Sequence, residues 1–471
     1  MPSSGQTQNT KPHPAYDHVM QRNLPPPLAT LAPTAFDPTP FVHRRAALLR
    51  QMHKQGRGVA IIPTSSETLR NRDTHHPFRF DSNFWYLTGF EEPDAVLVLL
   101  ISDTPQSLLF CREKNIEREL WEGFRFGPEA AREQFAFDGA FPLESLDDIV
   151  SEHLIGARTL WHSLGANPEW DSRIGRWLDH ARSQARAGKQ PPTMVADWRA
   201  LVEPMRRHKD AGELLQMQRA ADIAANAHGR AMRACHPGSY EYQLDAELQY
   251  AFLQAGGHPP SYPSIIAGGA NACVLHYTAN NQPLRDGDLV LIDAGCEVSG
   301  YASDITRTFP VNGRFSAAQR DVYEITLAAQ IAAIEAAKPG VAFHAPHDAA
   351  LRVLTQGMID LGLCRGTVDS VIESGDFRRY YMHRTSHWLG LDVHDAGPYH
   401  EDDEWVHLQA GMTLTIEPGF YIRAADDIPT AFHNIGIRIE DDIVITESGC
   451  RVMTDAAPKT IHAIEQWMAN A

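Results

Sequence analysis

The run Leu289-Val290-Leu291-Ile292-Asp293-Ala294-Gly295 constrains the fold more than any other feature of the chain. Four β-forming apolar residues mark a buried strand, and the carboxylate that ends it would be costly to bury unpaired. Something cationic must meet it. The return segment Tyr301 to Phe309 places Asp304 eleven residues later, within Ser303-Asp304-Ile305-Thr306-Arg307-Thr308. A hairpin of that length would set the two acids side by side. Adjacent buried carboxylates repel unless a metal or a proton lies between them.

The device recurs near the C-terminus. In Thr413-Leu414-Thr415-Ile416-Glu417, alternation puts Glu417 on one face with the threonines, and Pro418-Gly419 ends the strand. In Gly436-Ile437-Arg438-Ile439-Glu440 the same parity pairs Arg438 with Glu440. The chain has 23 histidines, five of them between His383 and His407, and His387 adds an imidazole to the four acids. Oxygen-rich sites with one nitrogen suit Mn²⁺ better than thiolate-bound zinc. Two ions about 3.5–4 Å apart would polarise a carbonyl and generate a bridging hydroxide, so the implied reaction is metal-assisted hydrolysis. Taken singly, a strand-end Asp or Glu is more often a cap, turn or salt-bridge residue, and Arg438 beside Glu440 could be a surface pair. His383 and His387 could be a helical zinc pair, but Arg384 stands where such enzymes carry a glutamate and Gly390 follows closely.

A net charge of −17 leaves no basic stripe for nucleic acid. No apolar run approaches the roughly 20 residues of a membrane helix. The six cysteines form no CxxC pair and read as reduced, mostly buried thiols. Prolines 25, 26, 27 and 33 interrupt the only apolar stretch near the N-terminus, so no secretory signal is expected, and the cytoplasm is the expected location.

Residues 1–37, rich in Pro, Ser, Thr, Gln and Asn, read as a disordered or loosely docked arm. An α/β domain is expected over 38–200, its pattern closing near Pro191-Pro192. It opens with a helix from Phe41 to Met52 and contains apolar strands at 59–62, 95–101, 108–111 and 159–162. An α+β domain over 201–471 follows. Capping boxes at Asp210/Glu213 and Ser316/Gln319 open two helices, and further helices are expected over about 240–256 and 346–361. Strands are expected at Val274 to Tyr277, Leu289 to Ala294, Tyr301 to Phe309, Met412 to Ile416 and Gly436 to Ile445. Two helices then strands, twice over, indicates an internal duplication.

The ordered motifs His276-Tyr277-Thr278, Leu291 to Gly295, Gly300 to Phe309, Ser386 to Asp395, Glu417-Pro418-Gly419 and Gly436 to Asp441 resemble those of bacterial Xaa-Pro aminopeptidases (aminopeptidase P). The resemblance spans about residues 40 to 465. It implies a creatinase-like N-terminal domain, a pita-bread catalytic domain with pseudo-twofold symmetry, and two divalent ions, manganese in the family. It also implies homodimers or homotetramers acting on peptides with proline second.

By the same resemblance, Asp293 holds one ion, His387 the other, and Asp304, Glu417 and Glu440 are shared, with Glu417 also carrying protons. His276, His383 and His394 would surround the scissile bond, His394 stabilising the oxyanion and His383 contacting the proline side. Arg438 would hold Glu440 and its neighbours, and Tyr421 would stand behind them or bind substrate. His276 and Tyr421 read equally as pocket wall, and Trp388 with Tyr421 could seat the proline ring. Trp121 and Asp73 look like residues that a neighbouring subunit lends to the site, though Trp121 fits a core or interface equally well. Two departures lie on the rim: Arg384-Thr385 replaces an expected small, glycine-containing pair, and 399–404 is acidic where an arginine is expected. Prolidase activity on Xaa-Pro dipeptides is the nearest rival, and a metal-free binding module on the same fold is the rival from another class.

Overall fold

The computed structural model describes residues 36–257 and 260–470. The expected N-terminal arm therefore lies almost wholly outside the described residues.

The strongly apolar strands of the N-terminal half form a mixed six-stranded sheet ordered 139–142, 106–111, 96–101, 58–63, 159–161, 194–196. Its last strand, Met194–Ala196, lies beyond Pro191-Pro192, so the domain's pattern continues past the prolines expected to close it. Helix Thr39–His53 packs on this sheet and turns two buried arginines inward. Arg45 is capped by the carbonyls of Leu87, Phe135 and Ala136. Arg44 reaches out of the domain to Asp210 at 2.7 Å and Glu213 at 3.1 Å. Those two acids form the capping box that starts helix Ala211–Ala234, so one arginine joins the N-terminal half to the next helix.

The duplication is visible in the element order. Helices Ala211–Ala234 and Glu241–Gln254 precede strands Ile265–Gly268, Leu289–Asp293 and Thr306–Pro310. Helices Ala317–Ala336 and Ala345–Asp360 precede strands Thr413–Ile416, Gly419–Ile422, Ile435–Arg438 and Asp441–Ile445. One core cluster runs through both sets, including Ile266, Val290, Ile292, Phe309, Leu414, Ile416, Ile437 and Ile443. Each such apolar side chain contributes about 1.5–3 kcal/mol on burial, which fixes the strand faces and therefore the direction of the polar residues between them.

Three strand expectations need correction. Residues 274–277 do not form a strand; a 3₁₀ turn, Gly269–Cys273, leads into them, and the pairing strand lies upstream at Ile265–Gly268. The return strand 301–309 is interrupted: Tyr301–Ala302 pairs only with Glu297–Val298, and Thr306–Pro310 alone pairs with Leu289–Asp293. In the gap the Asp304 amide donates to Asp442 Oδ2 at 3.0 Å instead of to a neighbouring strand. Asp304 is thus not opposite Asp293, whose register partner is Thr306. Likewise 435–438 and 441–445 are separate strands, and Glu440 sits in the break between them.

These two breaks meet. The Glu440 amide donates to the Thr306 carbonyl at 3.0 Å, and Thr308 Oγ1 to the Arg438 carbonyl at 3.0 Å, joining the two halves along one seam. Between the threonines, Arg307 points the opposite way into a buried pair with Asp441 at 2.7 Å.

Candidate metal centre

On the open side of the seam, strand ends and breaks deliver Asp293, Asp304, His387, Glu417 and Glu440 to one place. Asp304, His387 and Glu440 each offer a ligand atom within 4.8 Å of the others. His387 Nδ1 lies 2.9 Å from the Trp388 carbonyl, which makes it the protonated nitrogen and leaves Nε2 as a lone pair. That lone pair faces Asp304 Oδ2 at 3.4 Å and Glu417 Oε1 at 3.8 Å. A lone pair aimed at carboxylate oxygens is repulsive without a cation between them. The donor set therefore fits divalent cations, and the carbonyl behind His387 is the kind of support that fixes a ligating imidazole.

The electrostatics agree. Burial, and then the charge of Asp293, pushes Asp304 well above the ordinary carboxylate range. Burial, and then Asp304, does the same to Glu440. Glu417 is pushed up to about 8, first by burial and then by Glu440.

Arg438 is buried beneath the cluster. It donates to Asp293 Oδ2 at 2.5 Å, to the Tyr421 hydroxyl at 3.0 Å and to Thr306 Oγ1 at 3.1 Å. Thr306 in turn donates to Glu440 Oε2 at 2.7 Å. Arg438 thus grips Asp293 directly and reaches Glu440 through Thr306. Tyr421 is fully buried, not a surface for substrate. Its hydroxyl passes from Arg438 to His383 Nε2 at 2.9 Å, while His383 Nδ1 meets the Arg384 carbonyl at 2.7 Å. Burial, and then Arg438, pushes His383 down to about 3, so the ring is neutral and both nitrogens are engaged. Trp388, expected as pocket wall, is wholly buried and stacks against Tyr399.

His394 is exposed, its ring 4.4 Å from that of His387. Partial burial, and then His387 and the nearby His276, lowers its pKa, leaving a neutral donor at the mouth of the site. The segment 383–394 is not helical, which removes the helical zinc pair. Trp121, 87% exposed on helix Ile116–Glu122, and Asp73, exposed in the 69–75 hairpin, make no hydrogen bond or ion pair with the cluster among the described residues.

Sequence reasoning missed two hydroxyls. Tyr262 bonds Asp293 Oδ1 at 2.5 Å and also Asp304 Oδ1, and Thr306 is the junction described above. A third, Thr385 in the departing pair, is held by Tyr381 at 2.5 Å and His347 at 2.9 Å, while its carbonyl accepts the Glu417 amide.

Residues 215–447 match the model of metallopeptidase family M24, and residues 41–161 match the aminopeptidase P N-terminal domain. An Escherichia coli (strain K12) Xaa-Pro aminopeptidase is 42% identical over 92% of this chain and 98% of its own length. The chain belongs to the Xaa-Pro aminopeptidases of metallopeptidase family M24. The solved Pseudomonas aeruginosa aminopeptidase PepP is 46% identical with a TM-score of 0.90, covering 92% of this chain and 98% of that one. A zinc-substituted E. coli aminopeptidase P in complex with product is 41% identical, with a TM-score of 0.89 over 93% of this chain and 99% of that one. The M24 fold expected from the resemblance, an α/β N-terminal domain before a duplicated pita-bread domain, is the architecture described above.

Proposed function

We infer that this chain is a metalloaminopeptidase that hydrolyses the first peptide bond of peptides whose second residue is proline. The observation that carries the reading is the convergence of His387 Nε2 with buried carboxylates from both halves of the catalytic domain, in a chain aligned over nearly its whole length with Xaa-Pro aminopeptidases. Asp293, Asp304, His387, Glu417 and Glu440 would hold two divalent ions, manganese being the choice their mostly hard oxygen donors favour. Bound there, such ions polarise the scissile carbonyl and acidify a water.

The protein's own groups do the rest. Glu417 takes the proton of the attacking water as its oxygen bonds to the carbonyl carbon, then gives it to the proline nitrogen as the C–N bond breaks. His394 donates to the developing oxyanion. Arg438 and Thr306 keep Asp293 and Glu440 in place. Proline obstructs ordinary aminopeptidases because its amide lacks an N–H and its ring fixes φ.

The N-terminal domain is assigned to 38–200 and the catalytic domain to 201–471. The working form is a cytoplasmic homodimer or homotetramer in which Trp121 and Asp73 serve a neighbouring copy. The exposed apolar run Ile116, Leu120, Trp121 and Phe124 supports that assembly. No described helix is long and apolar enough to cross a membrane, and the acidic net charge disfavours nucleic acid.

The deciding experiment compares Xaa-Pro with Xaa-Pro-Yaa and Xaa-Ala-Yaa peptides in chelated and Mn²⁺-restored protein. Release of the first residue from Xaa-Pro-Yaa, only with metal, is expected. Efficient cutting of the dipeptide alone would establish a prolidase instead, a reading favoured by the exposed Arg384 beside His383, which could receive a free carboxylate. Equal rates on Xaa-Ala-Yaa would remove the claim of proline specificity.

A further inference from the structure

A buried ionic clamp lies behind His394, outside the metal cluster. Asp395 receives Arg206 at 2.5 Å and Lys209 at 2.9 Å, and all three side chains are nearly inaccessible. Two cations on one buried carboxylate are an expensive arrangement, because each partner loses its water. The surplus charge of Arg206 is shared with Asp392 at 2.7 Å, and its other fork reaches Asn83 of the N-terminal half at 2.8 Å. Ser82 also donates to Asp392 at 2.6 Å.

The clamp closes a turn. The Asp395 amide donates to the Trp388 carbonyl at 2.9 Å, and Gly390 donates to the Asp392 carbonyl at 3.1 Å, so the turn brings together the neighbours of His387 and His394. Gly390 is required: a Cβ there would fall 2.2 Å from Asp395 Oδ2. The other flank of the turn is fastened independently, by Leu389 N to the Thr413 carbonyl at 3.2 Å and Thr415 N to the His387 carbonyl at 3.0 Å. On the His394 flank the clamp adds to the Asp395 amide bond.

We propose that Asp395, gripped by Arg206 and Lys209 from the segment joining the two domains, is a positioning residue that sets the His394 ring, and that the N-terminal domain tunes turnover through Asn83 and Arg206. The inference rests on the oxyanion role given to His394 above. The physical reason is that a donor serves a transition state only when held in place beforehand, and a misplacement of about 1 Å can cost 10²-fold.

The test is a double-mutant cycle on the metal-loaded, full-length enzyme with an Xaa-Pro-Yaa peptide. Asp395→Asn, close in size, should lower kcat roughly ten- to a hundred-fold with little change in KM or in metal per chain by elemental analysis. His394→Ala should lower kcat, and the double variant should lose no more than His394→Ala alone. Full turnover in Asp395→Asn, or losses that simply multiply in the double variant, would overturn the positioning role. Unchanged turnover in His394→Ala would instead overturn the oxyanion assignment. Should Asp395→Asn fail to fold, Lys209→Gln runs through the same cycle with Lys209→Arg as the conservative rescue, and the same outcomes decide.

Discussion

Thr306 shows how much one hydroxyl can carry. It accepts from Arg438 and donates to Glu440, so Thr306→Val, which keeps the shape and removes both bonds, should weaken metal retention about 10–100-fold, measured by titrating bound metal against a chelator. Asp293→Asn or Glu440→Gln should abolish activity and lower metal per chain. His394→Ala should cut turnover by roughly 10²–10³ with metal retained, the effect of losing an oxyanion donor. If it empties the site instead, donor and ligand have been exchanged. The acids were legible as candidates in the sequence because a carboxylate at the end of an apolar run needs an explanation, whereas His387 stood out only within the histidine-rich stretch 383–407 and through the resemblance. Thr306 and Tyr262 were not, since an uncharged hydroxyl on or near a strand carries no cost that demands a partner. The parity of Thr306 with Thr308 was the one available signal, facing away from the buried Arg307.

At the scale of elements, helices were read well, because capping boxes are local chemistry written in adjacent residues. Strand continuity was not, because the interruptions at 303–305 and 439–440 depend on partners far away in the chain, such as Asp442. Gly295 beside the first interruption is tightly constrained: a Cβ would fall 1.8 Å from the Ser303 carbonyl. Gly295→Ala should cost about 3 kcal/mol or more in denaturant unfolding. Helix Ala211–Ala234 gives a pH prediction. His228, wholly buried, bonds the Ala294 carbonyl through Nε2 at 3.0 Å, and its Nδ1 finds no partner among the described residues. Burial pushes it down to about 4. In the unfolded chain it titrates near 6.5, so between those values the unfolded state binds the extra proton. Stability is therefore full above about pH 6.5 and drains as pH falls towards 4, by up to about 3 kcal/mol from this group. His228→Gln should flatten that part of the stability profile measured in urea.

For the whole molecule, the prediction concerns assembly. Trp121→Ala should leave metal content intact yet lower turnover if the tryptophan serves another copy. Mixing it with Glu440→Gln chains should then restore part of the activity through hybrid assemblies, whereas no recovery on mixing would confine Trp121 to its own subunit. Architecture at this scale was legible from the repeated order of helices and strands, but which surface meets a second copy leaves no periodic trace in a sequence.

The seam where Glu440 meets Thr306 has a consequence for the life of the protein in a cell. Asp293 and Asp304 come from one side of that seam, His387, Glu417 and Glu440 from the other, so a cation held by them would pin both sides. Ligand that binds only the native state adds RT ln(1 + [L]/Kd) to stability, about 2.7 kcal/mol at a hundredfold excess over Kd. The supply of a trace nutrient would thereby set the chain's resistance to degradation along with its rate of work, and scarcity would remove idle enzyme through turnover by housekeeping proteases.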